Sequence, residues 1–507
     1  MNLVELAEQN FERFGEYTNI IFNDVEYTNL QLIKSANRLA RSLTSLGIKP
    51  GDRVLVMMMN SPDVIISYQG ILRAGGIIIP VVFLLGVTEI NHIMINSEAV
   101  AIITTKDFLD KVNEAREGVT TLQHVIIVED EDIPGTIRFS ELIEKSSDDR
   151  PAIEIHEDDL AVILYTSGTT GVPKGVMLTH KNLYSDAYNT SRIVEINPDD
   201  ISLTVLPLSH SFGLTVMNTL MMFNFKTVLM SWFNLEEICR LIEKYHVAGF
   251  AGVPAMFAII LNSPDIVDKY DLSSLKRCTS GSAPLPLEVL RGFEEKFNCP
   301  ILEGYGLSEA APIVSFHYPD RERKPGSIGQ PIPGVEVKIV DERGNEVPTG
   351  EMGELLVKGP NVSPGYYKMS EETASTFTDG WLHTGDMARM DEDGYLYIVE
   401  RKKDLIIRGG FNIVPRDVEE ILLTHPSVTE AAVIGVSDPV MGEEIKAFVV
   451  VKKDDTVTED DIKQHCQKDL ATYKIPKYVA FIDALPRNPI GKIMRKKLRE
   501  LHAQGDT

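Results

Sequence analysis

The stretch YTSGTTGVPKGVMLTH, from Tyr165 to His180, decides how the fold of this chain is interpreted. Apolar runs stand on both sides of its glycine- and threonine-rich loop: AVILY before it and GVML after it. Such runs are typical of buried strands, so the sequence predicts a strand–loop–strand unit. A Walker A loop would place Lys directly after Gly and before Ser or Thr. Here Pro173 precedes Lys174 and Gly175 follows it, so the loop is of another kind.

The composition of this loop suits a phosphate group. Glycines at 168, 171 and 175 let the backbone approach an anion and turn its N–H groups toward it. The side chains that would add hydrogen bonds or charge are Thr166, Ser167, Thr169, Thr170 and Lys174. We therefore predict a phosphate site here, and a solvent-exposed Gly/Thr hairpin is the simpler alternative.

The length and charge of the chain limit its class. With 507 residues it has room for more than one hydrophobic core, so two or more domains are expected. The formal net charge of -24 argues against a nucleic-acid partner, because phosphate backbones bind to basic surfaces. A small anionic substrate held by a few local cations is compatible with this charge.

Cysteine usage and the apolar segments indicate a cytoplasmic protein. The cysteines are Cys239, Cys278, Cys299 and Cys466. They have no CxxC spacing, which predicts buried, reduced thiols rather than a disulfide or zinc framework. No signal peptide is evident at the N-terminus, and the most apolar run, residues 75–86, is too short to span a bilayer. Peripheral contact with a membrane and assembly as a homodimer are left open.

The first half of the chain alternates between strand and helix patterns. A buried-strand run at 52–59 is followed by a helical pattern with Ser61 as its cap and Pro62 in its first turn. A second strand (IIIPVV), a helix opened by Thr88 and a third strand (VAIITT) continue the alternation. This order predicts an α/β fold with a mostly parallel sheet.

From about Gly326 the pattern changes to short strands separated by glycine-containing turns, with an Asp-Gly hairpin signal at 393–394. This segment is expected to form an antiparallel, barrel-like appendage of a large, multi-subdomain N-terminal domain. The charged run ERKKD, residues 400–404, is interpreted as a hinge. The remainder is predicted to be a small α+β domain that ends in a basic tail. The predicted domains are residues 1–400 and 401–507.

Further motifs accompany the loop along the chain. They are LPLSHSFGL (206–214), SGSAPL (280–285), EGYGLSEA (303–310), WLHTGD (381–386), ERKKDLIIRGGFNI (400–413) and PRNPIGKIMR (486–495). Together with the loop, and in the same order, they closely resemble the motifs of the adenylate-forming superfamily. That superfamily contains acyl-CoA synthetases, peptide-synthetase adenylation domains and beetle luciferases. The resemblance covers essentially the whole chain and implies an AMP-binding domain over 1–400 and a mobile C-terminal domain over 401–507.

The resemblance implies an acid–thiol ligase of the acyl-CoA synthetase type that uses ATP, Mg²⁺ and coenzyme A. In the family, a carboxylate attacks the α-phosphate of ATP to give an acyl-adenylate and pyrophosphate, and a thiol then displaces AMP. Because adenylation joins two anions, cations placed where charge develops should dominate catalysis. Lys492 matches the family's catalytic lysine, which bridges the carboxylate and the α-phosphate.

Other site residues follow from matches to the family motifs. Glu309 and Thr166 match the magnesium-associated pair, and their oxygens suit a hard cation. Tyr305 would lie against adenine, and Asp386 and Arg401 would contact the ribose hydroxyls. The residues predicted to bind ATP or AMP are Thr166, Ser167, Gly168, Thr169, Thr170, Gly171, Lys174, Gly281, Ser282, Ala283, Gly304, Tyr305, Gly306, Ser308, Asp386, Arg401 and Lys492. The predicted catalytic residues are Lys492, Glu309, Thr166 and His210.

The predicted acyl pocket indicates a monocarboxylic acid with an apolar tail. Its residues are His210, Phe212, Gly213, Val253 and Ala311. The imidazole of His210 could orient the carboxylate of the acid. These positions hold no arginine for a second carboxylate and no acidic residue for an amino group, which argues against dicarboxylates and amino acids. A medium- or long-chain fatty acid fits best, with an aromatic acid as the alternative.

The C-terminal motifs are expected to serve the second half-reaction. In the family the small domain rotates between the two half-reactions, and Lys403 matches the pivot of that hinge. Arg408, Gly409 and Gly410 would flank the channel for the pantetheine arm of coenzyme A, where glycines leave a wall without side chains.

Three other functions share most of these motifs. A luciferase-type monooxygenase shares them all and would differ by oxygen-dependent light emission. An acyl-AMP ligase that feeds a carrier protein usually has an extra insertion in the large domain, and none is obvious here. A non-catalytic nucleotide-binding regulator should have lost Lys492, Glu309 or Asp386, and all three are present. The acid:CoA ligase is therefore preferred.

Overall fold

The computed structural model describes residues 1–166, 173–194, 197–453, 455–487 and 493–504. The chain forms two compact units: Met1–Val337 with Val357–His383, and Lys338–Leu356 with Thr384–Thr507. Most strands of the predicted barrel-like appendage fall in the second unit. The domain boundary between residues 400 and 401 stays a prediction.

The first unit contains a mixed sheet with a parallel centre. In spatial order its strands are Gln330–Pro331, Ile313–Phe316, Ile301–Gly306, Cys278–Ser280, Val247–Gly252, Ile201–Thr204, Lys226–Leu229, Thr18–Phe22 and Val25–Thr28. The strands from Ile301–Gly306 to Thr18–Phe22 run parallel, and those outside them are antiparallel to their neighbours. The alternating strand and helix patterns therefore predicted the fold class correctly.

A second mixed sheet of the first unit contains the predicted strand–loop–strand unit. Its strands, in spatial order, are Gly365–Tyr366, Lys174–Thr179, Leu160–Thr166, Ile77–Pro80, Arg53–Met57, Ala101–Thr104, His124–Ile127 and Ile137–Arg138. Leu160–Thr166 and Lys174–Thr179 pair antiparallel, with Thr166 opposite Lys174. The predicted pair of strands is confirmed, and the connecting residues 167–172 lie outside the described part of the chain.

The α-helices of the first unit include the two whose starts were predicted, one at the predicted residue and one displaced. They are Leu3–Phe14, Asn29–Ser45, Pro62–Arg73, Val87–Ser97, Lys106–Ala115, Phe139–Glu144, His180–Ser191, Ser211–Leu220, Leu235–Tyr245, Pro254–Leu261, Pro264–Val267, Leu287–Phe297 and Ser370–Thr376. The hydroxyl of Ser61 accepts the Asp63 N–H at 3.2 Å, as its predicted capping role requires. The helix predicted to open at Thr88 instead has Gly86 as its N-cap. There the Glu89 carboxylate accepts the Gly86 N–H at 2.9 Å, so no capping hydroxyl is needed.

Continuous apolar strands fill the core of the first unit. In Arg53–Met57, Val54 and Val56 belong to one buried cluster, while Leu55 and Met57 belong to another on the opposite face. A parallel sheet covered on both faces requires such unbroken apolar runs. All four cysteines are buried and none forms a disulfide, as predicted. Among the described residues, no helix combines the length and apolar character needed to cross a membrane.

The second unit begins with the short strands that follow Gly326. Their sheet includes Glu336–Val340, Gly353–Lys358, Trp381–Met390 and Leu396–Arg401, of which the last two pair antiparallel. The last two are joined by the predicted Asp-Gly turn, in which Gly394 has φ of 80°. The hairpin prediction is therefore confirmed.

The rest of the second unit is a small α+β fold. Its strands are Phe411–Ile413, Ile406–Arg408, Gly442–Val451, Val428–Asp438 and Tyr478–Phe481, and its α-helices are Pro415–Leu423, Glu459–Asp469 and Arg495–Gln504. The residues interpreted from the sequence as a basic tail form the last helix. Its Leu498 is fully buried against Ile434 and Phe448, so this end of the chain contributes to the core.

Candidate active site

Neighbouring parallel strands of the first sheet end in predicted site residues. These strands are Ile201–Thr204, Val247–Gly252, Cys278–Ser280 and Ile301–Gly306. Val253 and Gly281 directly follow two of them, and Tyr305 lies at the end of a third. Parallel strands end at the same edge of a sheet, where ligands of open α/β sheets bind. The first unit therefore brings predicted acyl and nucleotide residues to one edge.

The glycines beside Tyr305 are required by close packing. A Cβ on Gly306 would lie 2.2 Å from the carbonyl oxygen of Pro312, and one on Gly304 would lie 2.5 Å from the Phe316 ring. Neither site has room for a side chain. Tyr305 itself is half-buried, as is the predicted nucleotide residue Ser308.

The predicted adenine wall at 281–283 follows a buried strand. The N–H of Gly281 donates to the carbonyl oxygen of Gly252 at 3.3 Å, which fixes the start of the turn. Ser282 has a left-handed backbone conformation, with φ of 71°. Ser282 and Ala283 are both exposed, whereas Gly281 is buried. The turn thus offers its backbone and two small side chains to a ligand.

His210 caps the helix Ser211–Leu220, and this contact determines its tautomer. Its Nδ1 accepts a hydrogen bond from the backbone N–H of Phe212 at 3.2 Å. Burial lowers the pKa of His210 to about 4, so the ring is neutral near pH 7 and its proton is on Nε2. A neutral imidazole with an Nε2–H can donate one hydrogen bond to a carboxylate.

Phe212 connects the predicted acyl pocket with the predicted adenine wall. Its ring is 8% exposed, and its Cε1 lies 3.1 Å from the position that a Cβ on Gly281 would take. A side chain at position 281 would therefore displace the ring. The acyl and nucleotide surfaces predicted from separate motifs are in contact.

Gly213 and Ala311 shape the backbone of the predicted pocket through packing. A Cβ on Gly213 would lie 2.0 Å from the carbonyl oxygen of Pro207. Ala311 is 1% exposed and has a left-handed conformation, with φ of 67°. Val253 is half-buried and directly precedes the helix Pro254–Leu261.

A buried carboxylate that the sequence analysis missed holds two pocket segments together. Asp186 is fully buried and accepts hydrogen bonds from the Thr215 hydroxyl at 2.7 Å and from the Ile313 backbone N–H at 2.8 Å. Burial raises its pKa well above the usual value. Thr215 lies on the helix that His210 caps, and Ile313 follows Ala311 by two residues. No motif marks Asp186, because its surroundings (YSDAYNTS) have the composition of an ordinary helix.

Lys174 lies at the base of the predicted phosphate loop and forms an ion pair. Its Nζ donates to the Glu372 carboxylate and lies 5.5 Å from the centre of the Tyr366 ring. The side chain is only 13% exposed. The charge of this lysine is therefore balanced by a residue of the short helix Ser370–Thr376, which sequence patterns did not connect with the loop.

Gly175 opens the apolar run GVML, from which the second strand of the unit was predicted. It lies inside the strand Lys174–Thr179, opposite Tyr165. That its N–H turns toward an anion stays a prediction. A Cβ there would be 2.8 Å from the Ile163 side chain, so packing between the two strands requires the glycine.

Glu309 is held by two hydrogen bonds from one short segment. The Tyr366 hydroxyl donates to Glu309 Oε1 at 2.8 Å. The Ser363 backbone N–H donates to the Glu309 carbonyl oxygen, also at 2.8 Å. Burial, with the nearby Glu309 charge, raises the pKa of Tyr366 far above its ordinary value, so the phenol stays protonated. No sequence motif marks Tyr366, because its surroundings (SPGYYK) have the composition of a plain turn.

The donor set at Glu309 fits magnesium. In the part of the chain that the structure describes, no group of three or more His, Cys, Asp or Glu side chains could hold a metal ion. Glu309 and Thr166 offer a carboxylate and a hydroxyl, which are hard oxygen donors. Mg²⁺ needs only one or two protein ligands when substrate phosphates and waters complete its shell. The residues present therefore suit a magnesium ion carried mainly by a nucleotide.

Some predicted site residues lie outside the described part of the chain. They are Ser167, Gly168, Thr169, Thr170, Gly171 and Lys492. Their roles stay those that the resemblance implies.

In the second unit, the predicted ribose residues face each other across a hairpin. Asp386 is the register partner of Arg401, and Arg401 Nε lies 2.9 Å from Asp386 Oδ1. Asp386 is 3% exposed, whereas the Arg401 side chain is 41% exposed. A fixed carboxylate acceptor beside guanidinium donors is suited to a diol.

The predicted hinge is joined to the C-terminal helix by ion pairs. Arg495 lies 3.6 Å from the buried Glu400, and Arg499 lies 2.8 Å from the buried Asp404. Burial raises the pKa of Glu400. Lys403, the predicted pivot, stands between these two anchored residues and is exposed.

The residues predicted to flank coenzyme A form a tight turn. Gly409 and Gly410 connect Ile406–Arg408 to Phe411–Ile413 with φ values of 57° and 86°, a pair that glycine adopts most easily. Arg408 Nε lies 2.6 Å from the buried Glu444, so its charge is balanced. Turn geometry is thus one reason for these glycines, besides the open channel wall that we predicted.

Comparison with known proteins establishes the family. The model of the AMP-binding enzyme family matches residues 7–367, and that of the AMP-binding enzyme C-terminal domain matches residues 417–492. The chain belongs to the AMP-binding enzyme family. This result confirms the adenylate-forming superfamily that the motifs indicated.

Relatives of this AMP-binding enzyme match almost all of its length. The long-chain-fatty-acid–CoA ligase of Bacillus subtilis (strain 168) is 38% identical over 532 residues, which cover 98% of this chain and 94% of the relative. ATP-bound MatB from Rhodopseudomonas palustris is 32% identical, with a TM-score of 0.91 and 100% of both chains covered. The O-succinylbenzoate coenzyme A synthetase (MenE) from Bacillus subtilis, in complex with ATP and magnesium ion, is 29% identical, with a TM-score of 0.86 and 97% and 98% of the two chains covered. The enzyme is an ATP-using acid–thiol ligase of the acyl-CoA synthetase type.

Proposed function

We propose that this enzyme joins a medium- or long-chain fatty acid to coenzyme A. In the first step, a carboxylate oxygen attacks the α-phosphate of ATP, and the bond to pyrophosphate breaks. In the second step, the coenzyme A sulfur attacks the acyl carbon, AMP leaves and the thiol proton is released. The observation that carries this proposal is the contact of Phe212 with Gly281, because adenylation needs the acid and the nucleotide side by side.

His210 is the proposed orienting group for the acid. Its backbone is fixed by the helix that it caps, and its Nδ1 is occupied by the Phe212 N–H. The Nε2–H is then the hydrogen atom that can donate to one carboxylate oxygen. A neutral ring suits this role, because it orients the carboxylate without forming an ion pair that would lower its nucleophilicity.

Glu309 and Thr166 are the proposed protein ligands of the magnesium ion. When bound, the ion would neutralise charge on the phosphates of ATP. The magnesium ion named with the Bacillus subtilis synthetase supports this assignment. Lys174 is the proposed positive charge at the base of the loop, where it would exchange its partner Glu372 for phosphate oxygens.

The other roles are proposed from the motif matches. Lys492 would neutralise the anions that meet during adenylation. Asp386 and Arg401 would bind the ribose hydroxyls, for which their adjacent acceptor and donors are suited. Rotation of residues 401–507 about Lys403 would then bring Arg408, Gly409 and Gly410 to the pantetheine arm.

An apolar tail on the acid is favoured by the pocket residues. Phe212, Val253 and Ala311 are apolar, and Gly213 admits no side chain. The name of the Bacillus subtilis relative supports a long-chain fatty acid. An aromatic acid is the second candidate, since a flat ring could also pack against Phe212.

The test is pyrophosphate release by the purified enzyme with acetate, octanoate, palmitate or benzoate, each with and without coenzyme A. We expect the highest kcat/KM with octanoate or palmitate, and a thioester only when coenzyme A is present. Preference for benzoate would replace the fatty acid by an aromatic acid. Adenylation without a thioester would indicate a carrier-protein acceptor, and no turnover despite ATP binding would refute the ligase.

A further inference from the structure

The segment 363–367 runs across the base of the predicted phosphate loop. Tyr366 is the register partner of Val176, in the strand that leaves the loop. The Tyr367 N–H donates to the carbonyl oxygen of Gly175 at 2.8 Å, and the Ser363 hydroxyl donates to that of Met177 at 2.7 Å. The backbone of this segment is therefore fixed to the strand that begins with Lys174.

The same segment also binds Glu309, which follows the strand Ile301–Gly306 of the other sheet. The Tyr366 hydroxyl donates to one carboxylate oxygen, and the Ser363 N–H donates to the backbone carbonyl of Glu309. The segment 363–367 therefore hydrogen-bonds both the side chain and the main chain of Glu309. Ser363 and Tyr366 each contact both sides, and Tyr366 is the one whose side chain reaches the Glu309 carboxylate, while its backbone pairs with Val176.

The Tyr366 ring has little freedom to move. It is 8% exposed and packs edge-on against Phe377, with ring centres 5.8 Å apart. Lys174 Nζ lies 5.5 Å from its centre on the loop side. A ring confined in this way directs its hydroxyl to a fixed point, so Oε1 of Glu309 is held in one place.

A phenol is well suited to orient a carboxylate that must also bind a cation. A carboxylate has two oxygens with about four lone-pair sites, and one neutral donor on Oε1 leaves the others available. A lysine or arginine in the same place would compete with the cation by its charge. The Tyr366 hydroxyl orients Glu309 without neutralising it.

We propose that Tyr366 is a positioning residue for the nucleotide–magnesium site, which fixes the Glu309 carboxylate relative to the strand that carries Lys174. The proposal rests on the proposed function, in which Glu309 is a magnesium ligand. Groups that orient a metal ligand through a hydrogen bond typically contribute about ten- to hundredfold to metal affinity or activity. Loss of the hydroxyl alone should therefore weaken the magnesium response by that factor.

The test is a magnesium titration of ATP binding, measured by calorimetry without any acid so that no turnover occurs. Tyr366→Phe keeps the ring and removes only the hydroxyl. We expect the magnesium concentration at half-saturation to rise about ten- to hundredfold. Tyr17→Phe is the matched control, because it also removes the hydrogen-bonded hydroxyl of a partly buried tyrosine, bonded to Asn10 and Phe223, but lies away from the site. It should leave the titration unchanged.

Two further variants separate positioning from packing. Tyr366→His keeps an N–H donor but loses much of the ring, so positioning predicts a smaller shift than in Tyr366→Phe, whereas a packing role predicts a larger one. In a Glu309→Gln background, Tyr366→Phe should add little to the loss. Thermal unfolding without ligand checks that each variant is folded. If Tyr366→Phe does not fold, the magnesium concentration at half-saturation of Tyr366→His is compared with that of Tyr17→Phe. A positioning role then predicts a higher value for Tyr366→His, and equal values would contradict it.

The proposal is overturned by a folded Tyr366→Phe with an unchanged titration, by a larger shift in Tyr366→His, or by an undiminished shift in the Glu309→Gln background. A wild-type enzyme whose ATP binding ignores magnesium would overturn the proposed function as well. The two failures are therefore distinct, because the first leaves the wild-type magnesium response intact.

Discussion

The substitution Gly213→Ala should lower activity, because the added methyl group would displace the backbone of the proposed acyl pocket by a distance that the structure gives. The added Cβ would lie 2.0 Å from the carbonyl oxygen of Pro207, whereas real Cβ atoms essentially never come within 3.0 Å of such an atom. A gap of about 1 Å must therefore open. The same carbonyl accepts the His210 N–H at 3.0 Å, and Phe212 lies between His210 and Gly213 in the sequence. The displacement should reach His210 and Phe212, the side chains that are proposed to face the acid.

The expected cost has two parts. Overpacking of this kind costs about 1–3 kcal/mol of stability, and a misplacement of about 1 Å in a catalytic site costs about a hundredfold in rate. Pyrophosphate release with the preferred acid and the apparent Tm measure the two parts separately. Gly86→Ala is the control, because its nearest neighbour would be at 3.6 Å, and it should keep the wild-type rate. A Gly213→Ala enzyme with wild-type rate and Tm would refute the packing argument.

Two further predictions concern buried titratable groups. Burial holds the pKa of Asp186 high, so its acid form donates and accepts hydrogen bonds much as an amide does. Asp186→Asn should therefore lower the apparent Tm less than Asp186→Ala, which removes the short bond to Thr215 and leaves the Ile313 N–H without this acceptor, at a cost of about 1–3 kcal/mol. Burial lowers the pKa of His180 to about 4, so as the pH falls the unfolded chain binds a proton at this residue before the folded chain does. The free energy of unfolding should therefore fall by about 3 kcal/mol as the pH falls from about 6.5 to 4. The apparent Tm of His180→Gln should fall less between pH 6.5 and 4 than that of the exposed control His156→Gln. Equal decreases in Tm would contradict this prediction.

Sequence patterns predicted the parts of this fold that depend on neighbouring residues. The Ser61 cap and the Asp-Gly turn at 393–394 use side chains a few residues apart, and both are present. The helix start at Thr88 was misplaced by one residue, because the Glu89 carboxylate supplies the cap from within the helix. The apolar run GVML, which begins with Gly175, correctly indicated the strand after the loop.

The motifs also identified residues that the first unit brings together, such as Phe212 and Gly281. They did so because motif residues lie at strand ends, and the ends of parallel strands meet. Nothing in the motifs indicated which residues hold those side chains in place.

The bonds that orient the site join residues far apart in the chain, and this is why no local pattern predicted them. Tyr366 is 57 residues from Glu309, Glu372 is 198 from Lys174, and Asp186 is 127 from Ile313. Periodicity, capping and turn signals extend over a few residues, so a tyrosine in a turn gives no sign of the carboxylate that it binds. It follows that a chain with every motif intact but phenylalanine at position 366 would be predicted to be fully active from its motifs. The magnesium titration of Tyr366→Phe therefore tests whether motif identity is sufficient for function, or whether the hydrogen bonds behind the motifs are also required.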